Sequence, residues 1–393
     1  MTGHGGARLK AMALIAPLFL FLGVFFFWPL WTMVSVAVRS DAVAVALPKT
    51  AAALGRWDGE GVPEPAIQAA LLADLRDTEA SVLGPAVRQL NSEVSGFRTL
   101  MSGTARAAQG VPEGGGVDLP AIDERWSDPR FWRAIRALSK PYTDRNLLAT
   151  VDLRRDVSGA IEPMPDDISA NRLIIWRTFT IAGTITLMTL AIGLPYAMLA
   201  AATTGWKRSA LLLAVLLPLW TSLLVRTAAW FILLQDQGLI NQTLIGLGLI
   251  DAPLPLIFNR AGVVIAMTHV LLPFMVLPIY SVVIAIPKSL MPAAASMGAS
   301  PLRAFWRILL PLSLPGVLAG SLLVFMVAIG YYITPALVGG PNDQMISSII
   351  AFYSLQTANW GMAGALGLIL LSVTTVLYLV YGRLSRAGAP LGA

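Results

Sequence analysis

Six runs of this chain stay apolar for longer than a lipid hydrocarbon core is thick, and that limits what it can fold into. They cover residues 12–38, 173–203, 209–234, 263–285, 312–334 and, with a polar start, 346–381. A crossing takes roughly 20 helical residues. Inside a bilayer the backbone N–H and C=O groups find no water, so each run must satisfy them internally as a helix. The expected fold class is an all-α membrane protein with six transmembrane helices. Composition agrees: 56% of residues are hydrophobic and 13% charged, far from the balance of a soluble domain. Residues Ala42, Val43 and Ala44 weakly resemble a signal-peptide cleavage site. The run before them is too long and too rich in Phe and Trp for a secretory h-region.

The charges sort by loop. Nineteen of the 22 acidic residues lie in 39–171, against 15 basic ones there, so that stretch is net negative although the chain is +6. The surplus of cations falls on Arg8 and Lys10, on Lys207 and Arg208, on Lys288, Arg303 and Arg307, and on Arg383 and Arg386. With six spans these four places share one side, which the Lys/Arg bias makes cytoplasmic. Both termini are then expected inside, and 39–171, 235–261 and 335–346 outside. The scatter over short loops points to a bilayer and excludes a nucleic-acid partner. Cysteine is absent and only His4 and His269 are present, so neither thiolate chemistry nor a histidine metal site is expected.

The 39–171 stretch reads as a small, mostly helical domain inserted between the first two spans. Val87, Leu90, Val94, Phe97 and Met101 recur at helical spacing, with Ile67, Leu71, Leu75 and Val82 as a partner face. Asp128 and Pro129 read as an N-cap and first helical residue, placing Phe131, Ile135 and Leu138 on one face. Gly114–Gly116 and Pro163–Pro165 read as breaks. The domain is either a structural insertion or a docking surface.

No G-x-x-x-x-G-K-[ST] motif occurs, so no P-loop is expected. The distinctive motif lies between the fourth and fifth runs: "MPAAASMGASPLRAFWRILLPLSLPG", from Met291 to Gly316. Ser289 can act as N-cap, which puts Pro292 at N3, where a missing N–H costs little. Ala293, Ala294, Ala295, Ser296 and Met297 form a short helix with an almost bare face. Gly298 falls where a C-cap needs a left-handed residue. After Ala299, Ser300 and Pro301 restart the chain as N-cap and N1. Phe305, Trp306 and the arginines then approach the membrane surface, and Pro311 and Pro315 are expected to kink the start of the fifth span. By itself this is a helix–turn–helix connector at the interface.

This segment resembles the EAA loop of binding-protein-dependent ABC importer permeases: Glu-Ala-Ala, three residues, Gly, then an aromatic stretch ending Ile-x-Leu-Pro. Ala293, Ala294, Gly298, Ile308, Leu310 and Pro311 match, while Pro292 stands where the family has its glutamate. Residues 217–251 are similar to spermidine/putrescine-type permeases at Trp220, Thr221, Arg226, Gly238, Asn241 and the Gly-Leu-Ile-Asp ending. The resemblance implies the type I importer permease fold and a non-catalytic transport subunit with no cofactor of its own. ATP and Mg would be bound by a partner ATPase dimer. A second permease subunit, a different chain, and a periplasmic substrate-binding protein would complete the complex. Residues 292–301 would couple ATPase closure to rocking of the spans. The implied cargo is a small solute, a polyamine or a related amine or amino-acid-derived compound. The residue plan is then 1–38 as N-terminus and first span, 39–171 as the insert, 172–386 as a five-helix core with coupling loop 286–311, and 387–393 as a tail.

For the solute pathway the candidates are Arg226, Tyr331, Tyr332, Asn359 and Trp360. Aromatic rings near the outer ends of spans suit ammonium groups, or they belong to an interfacial belt. Arg226 either faces the pathway, snorkels, or pairs with Asp236. His269 reads as a hydrogen-bonded packing residue. Two other classes compete: a membrane-anchored sensor, disfavoured by the short stretch after the last span, and a secondary carrier, disfavoured by the scarcity of intramembrane charge.

Overall fold

The structure is a computed structural model describing residues 3–39, 41–110, 118–155, 160–165, 169–357 and 359–387. The expected break at Gly114–Gly116 and all but the first residue of the 387–393 tail lie outside the described residues. The chain divides into two compact units, Met1–Pro165 with Trp360–Ala365, and Asp166–Asn359 with Leu366–Ala393.

The first unit opens with α1 (Gly3–Leu22) and α2 (Trp28–Val38), joined through a π-helical turn at Gly23–Phe27. Ala13–Val38 is long and apolar enough to cross a membrane. Phe25, Phe27, Trp28 and Trp31 stand exposed along it, as a lipid-facing helix requires. Among the described residues eight short α-helices follow: α3 (Ala42–Ala46), α4 (Pro48–Leu54), α5 (Pro65–Asp77), α6 (Ala80–Glu93), α7 (Phe97–Gly110), α8 (Leu119–Ile122), α9 (Pro129–Leu138) and α10 (Arg145–Ala149). A two-stranded antiparallel hairpin, β1 (Leu153–Arg155) and β2 (Ile161–Pro163), pairs Arg154 with Glu162.

These helices close on their own apolar core, centred on Leu71, Leu90, Phe97, Leu100, Trp126, Trp132 and Ile135. The buried indoles are satisfied: Trp132 Nε1 donates to the Trp126 carbonyl and Trp126 Nε1 to Thr104 Oγ1, both at 2.9 Å. Asp74, 1% exposed, accepts from Thr50 N and Thr50 Oγ1 at 2.7 Å and from Lys49 N at 3.2 Å. It thereby caps the first turn of α4 from a distant helix. Asp128 caps α9 as expected, accepting from Arg130 N at 2.9 Å.

Two expectations change here. The periodic stretch 87–101 is not one helix. It divides between α6 and α7 at Ser95-Gly96, where Asn91 Oδ1 accepts from Gly96 N and Arg98 N. The same residues still reach the core because both helices present that face. Val82 is exposed rather than part of the partner face, since it sits in the first turn of α6.

The second unit is built on α11 (Asn171–Ala202), α15 (Arg260–Ala285) and α18 (Leu310–Gly330), which pack on one another. Small residues let the backbones approach, as between helices in lipid. A Cβ on Gly320 would lie 2.9 Å from Met275 Sδ and 3.0 Å from its carbonyl oxygen. Between α11 and α15 run α12 (Gly205–Leu216), a 3₁₀ turn at Leu217–Trp220, α13 (Leu223–Leu233) and α14 (Leu239–Gly246). After α15 come α16 (Leu290–Ser296), α17 (Pro301–Ala304), α18, α19 (Ile333–Val338), α20 (Ile346–Ala351) and α21 (Trp360–Ala387), whose first residues belong to the first unit.

Among the described residues, five helices are long and apolar enough to cross a membrane, or six if a bent pair counts as one span. That pair is the third expected span. It is broken by 100° between Gly205–Trp220 and Leu223–Leu233, where Pro218 and the extended Thr221 and Ser222 interrupt the helical ladder. The sixth span starts at Trp360, not at 346. Residues 346–357 instead form α20 and a π-helical turn, Phe352–Gln356, closed by Asn359 N donating to the Tyr353 carbonyl at 2.8 Å. The fifth starts earlier than expected: Pro301–Gly330 is one helical rod. Its irregularity is a π-helical turn at Phe305–Leu309, where Leu310 N donates to the Phe305 carbonyl. The wider turn accommodates Pro311, which has no N–H and crowds the carbonyl four residues back.

Candidate functional site

The segment between α15 and α18 is solvent-facing over most of its length. In α16 Ser289 occupies the N-cap position and Pro292 falls at N3. Ser289 is itself helical and makes no side-chain cap, so the expected Ser289 cap is absent. The C-terminal end is fully closed. Gly298 adopts φ +81°, its N–H donates to the Ala295 carbonyl at 2.9 Å, and Ala299 N donates to the Ala294 carbonyl at 3.0 Å. That is a Schellman closure, which needs a residue free of the left-handed penalty. Ser300 then caps α17, with Oγ accepting from Arg303 N at 3.4 Å, and Pro301 sits at N1.

Ala294 is buried against the protein, whereas Pro292, Ala293, Ala295, Ser296, Met297, Gly298 and Ser300 are exposed, Met297 at 82%. Ala299 is half-buried. A short helix pinned at one buried alanine and capped by tight turns presents a bare, mostly apolar tip. Its shape suits insertion into a groove.

A second cluster gathers where α13, α15 and the segment after α18 meet. Arg226 stands four residues into α13, just past the break. Its Nε and Nη1 are buried without a hydrogen-bond partner. No pair with Asp236 forms; the chain turns away through the exposed Asp236 into α14. One helical turn beyond Arg226, Trp230 Nε1 donates to His269 Nδ1 at 3.1 Å, the rings meeting edge-on at 5.4 Å. Thr227 and Thr334 hydroxyls share a buried hydrogen bond of 3.1 Å. Ser347 Oγ donates to the Tyr331 carbonyl at 2.5 Å.

Of the five pathway candidates, Arg226 and Tyr331 sit on neighbouring elements: α13 packs on α19, and Tyr331 lies half-buried two residues before α19. Tyr332 is exposed beside Tyr331, and its carbonyl accepts from Ser348 Oγ at 3.5 Å. Asn359 is exposed at the end of the π-helical turn. Trp360 opens α21 in the first unit and is exposed. Trp230 was not among the candidates, and His269 was read only as packing. The i, i+4 spacing of Arg226 and Trp230 was the available signal, since it puts both on one helical face.

Residues 187–387 match the family described as "Binding-protein-dependent transport system inner membrane component". The chain belongs to this family. It is therefore the membrane permease subunit of an ABC importer, and the matched stretch takes in both the capped segment and the Arg226 cluster. Among relatives of this permease is the spermidine/putrescine transport system permease protein PotB of Escherichia coli K12. The two are 36% identical over 213 residues, 54% of this chain and 78% of PotB. PotB of Haemophilus influenzae is 32% identical over 54% of this chain and 74% of that protein. The inner membrane ABC transporter permease protein YdcU of E. coli K12 is 34% identical over 56% of this chain and 73% of YdcU. A solved bacterial ABC transporter that imports alginate superposes with a TM-score of 0.47 at 20% identity, over 55% of this chain and 79% of that one. The inserted helices of the first unit fall before the family match.

Proposed function

We propose that this permease takes a small amine, a polyamine or a related amine or amino-acid-derived compound, from a periplasmic binding protein and passes it to the cytoplasm by alternating access. In this reading Pro292–Pro301 seat in a groove of one subunit of an ATPase dimer, which binds ATP and Mg. A second permease subunit, a different chain, completes the pathway. Both chain termini and α16 face the cytoplasm, and the inserted helices between α2 and α11 face the periplasm.

The observation that carries the coupling role is the Schellman-closed α16 with its exposed tip, held at Ala294 and continuous through α17 with a membrane helix. A groove-seated lever must not flex, and capping at Gly298 and Ser300 removes the two points where it would. The amine cargo draws support from the PotB relatives. Purification through a tag on this chain tests the assembly: an ATPase and a second permease are expected to travel with it, and ATP-dependent amine uptake is expected from the reconstituted complex. Solute movement by this chain alone in liposomes without ATP would overturn the proposal.

A further inference from the structure

Arg226 is half-buried, and no acidic side chain among the described residues of its unit pairs with it. Its Nε and Nη1 have no partner. Among the described residues of this unit the acidic side chains are Asp236, Asp251 and Asp343. The first two are exposed, and Asp343 is engaged by Arg260 at 3.3 Å. Breaking or omitting one half of a buried ion pair is costly, and an intramembrane cation is rarely kept without a task.

The surroundings define what would complete it. A guanidinium presents a planar fork that matches a carboxylate with two parallel hydrogen bonds. Arg226 lies in the opening turns of α13, an 11-residue helix whose N-cap residue, Ser222, makes no side-chain cap. The positive end of the helix dipole therefore adds to the guanidinium charge. The break that exposes this helix end lies within an apolar span, the arrangement by which discontinuous membrane helices meet anionic solute groups. Trp230, one helical turn beyond Arg226, and Tyr331, just before the α19 that packs on α13, supply aromatic rings on these neighbouring elements, and such rings suit an ammonium group.

We propose that Arg226 receives the carboxylate of the transported solute, so that the cargo is an amine bearing a carboxylate rather than a bare polyamine. The proposal rests on the reading of this chain as an amine importer and narrows it. The carboxylate pairs with the Arg226 guanidinium, and the ammonium end lies toward the rings of Trp230 and Tyr331.

The test is ATP-driven uptake by the complete reconstituted complex, with its ATPase and binding protein. Labelled 4-aminobutyrate and putrescine are compared, two short amines that differ at one terminus. The wild type is expected to carry 4-aminobutyrate. Arg226→Gln is expected to lose 4-aminobutyrate uptake by roughly tenfold to a hundredfold, the worth of a charge-assisted hydrogen-bonded contact, with putrescine uptake, where present, unreduced. Arg226→Lys keeps the charge without the fork and is expected to fall between, which separates a binding role from a folding defect. Uptake of putrescine but not 4-aminobutyrate by the wild type overturns this inference and leaves the amine importer standing. Uptake of neither overturns both. Equal loss of both solutes in Arg226→Gln and Arg226→Lys marks a structural arginine and overturns the inference. Release of the second permease from purified Arg226→Gln complex assigns the carboxylate to that subunit, with the same consequence.

Discussion

The indole N–H of Trp230 donates to Nδ1 of His269 across 3.1 Å, tying the half-span α13 to the long helix α15. The acceptor role fixes His269 in the neutral tautomer that carries its proton on Nε2. Trp230→Phe keeps a ring and deletes the donor. We expect a loss of about 1 kcal/mol, the net value of one neutral hydrogen bond, read as a lower thermal midpoint of the purified complex. A midpoint equal to wild type would show that the contact does not hold the broken span in place.

Gly298 separates two kinds of substitution. A Cβ there would meet nothing within 4 Å, so φ +81° is the sole obstacle. Asparagine tolerates the left-handed region, whereas a β-branched residue does not. Gly298→Val is expected to strain the turn by about 1–2 kcal/mol and to depress uptake while the protein still inserts. Gly298→Asn is expected to retain most uptake. Equal activity in both variants would mean that the turn is not part of coupling.

At Gly320 the obstacle is space. Its missing Cβ leaves room for Met275, whose sulfur and carbonyl oxygen would both lie within 3.0 Å. Gly320→Val is expected to push α15 and α18 apart at a cost of about 1–3 kcal/mol, seen as a reduced yield of monodisperse protein in detergent. Met275→Ala should restore only part of that yield, because the carbonyl contact remains.

The sequence alone exposed some of this architecture and hid the rest for physical reasons. Long membrane helices were legible because an apolar run of 20 or more residues has few other stable forms. The 100° break was not, because Pro218, Thr221 and Ser222 dilute the apolar run too little to end it. Residues 346–357 misled in the same way: they are apolar enough to extend the last span, yet they form a separate short helix. The cap at Gly298 was legible because φ is a local property. The missing partner of Arg226 was not, because partner choice depends on which distant helices arrive beside it.

Asp74 organises the inserted helices at long range. Asp74→Ala would leave Thr50 N, Thr50 Oγ1 and Lys49 N without their acceptor at a buried helix start. The expected cost is about 2–3 kcal/mol, between loss of a cap and loss of a charged hydrogen-bond acceptor. Limited proteolysis of the full chain in vesicles should cut the variant faster within 41–110, and an unchanged rate would contradict the capping role.

Acid should loosen the same region. Hydrogen bonds from Arg125, Arg130 and Arg155 hold Asp123, Asp128 and Asp144 below the usual carboxylate range. Depressed carboxylates add stability that is fully present above their unfolded value of about 3.9 and is lost as pH falls through the lower folded values. The contribution is modest because these pairs are partly solvated. Fluorescence of the buried Trp126 and Trp132 is expected to be flat from neutral pH to about 4 and to shift below that. A shift centred near neutral pH would point to other groups.

In the proposed coupling role α16 and its Gly298 turn dock on an ATPase subunit. The chain contains no cysteine, so Met297→Cys, at a position 82% exposed, gives a single reporter. In membrane vesicles a maleimide that cannot cross the bilayer is added from either side, with the ATPase present or stripped. Labelling is expected from the cytoplasmic side alone, blocked when the ATPase is bound and recovered when it is removed. Labelling from the periplasmic side, or equal labelling with and without the ATPase, would contradict it.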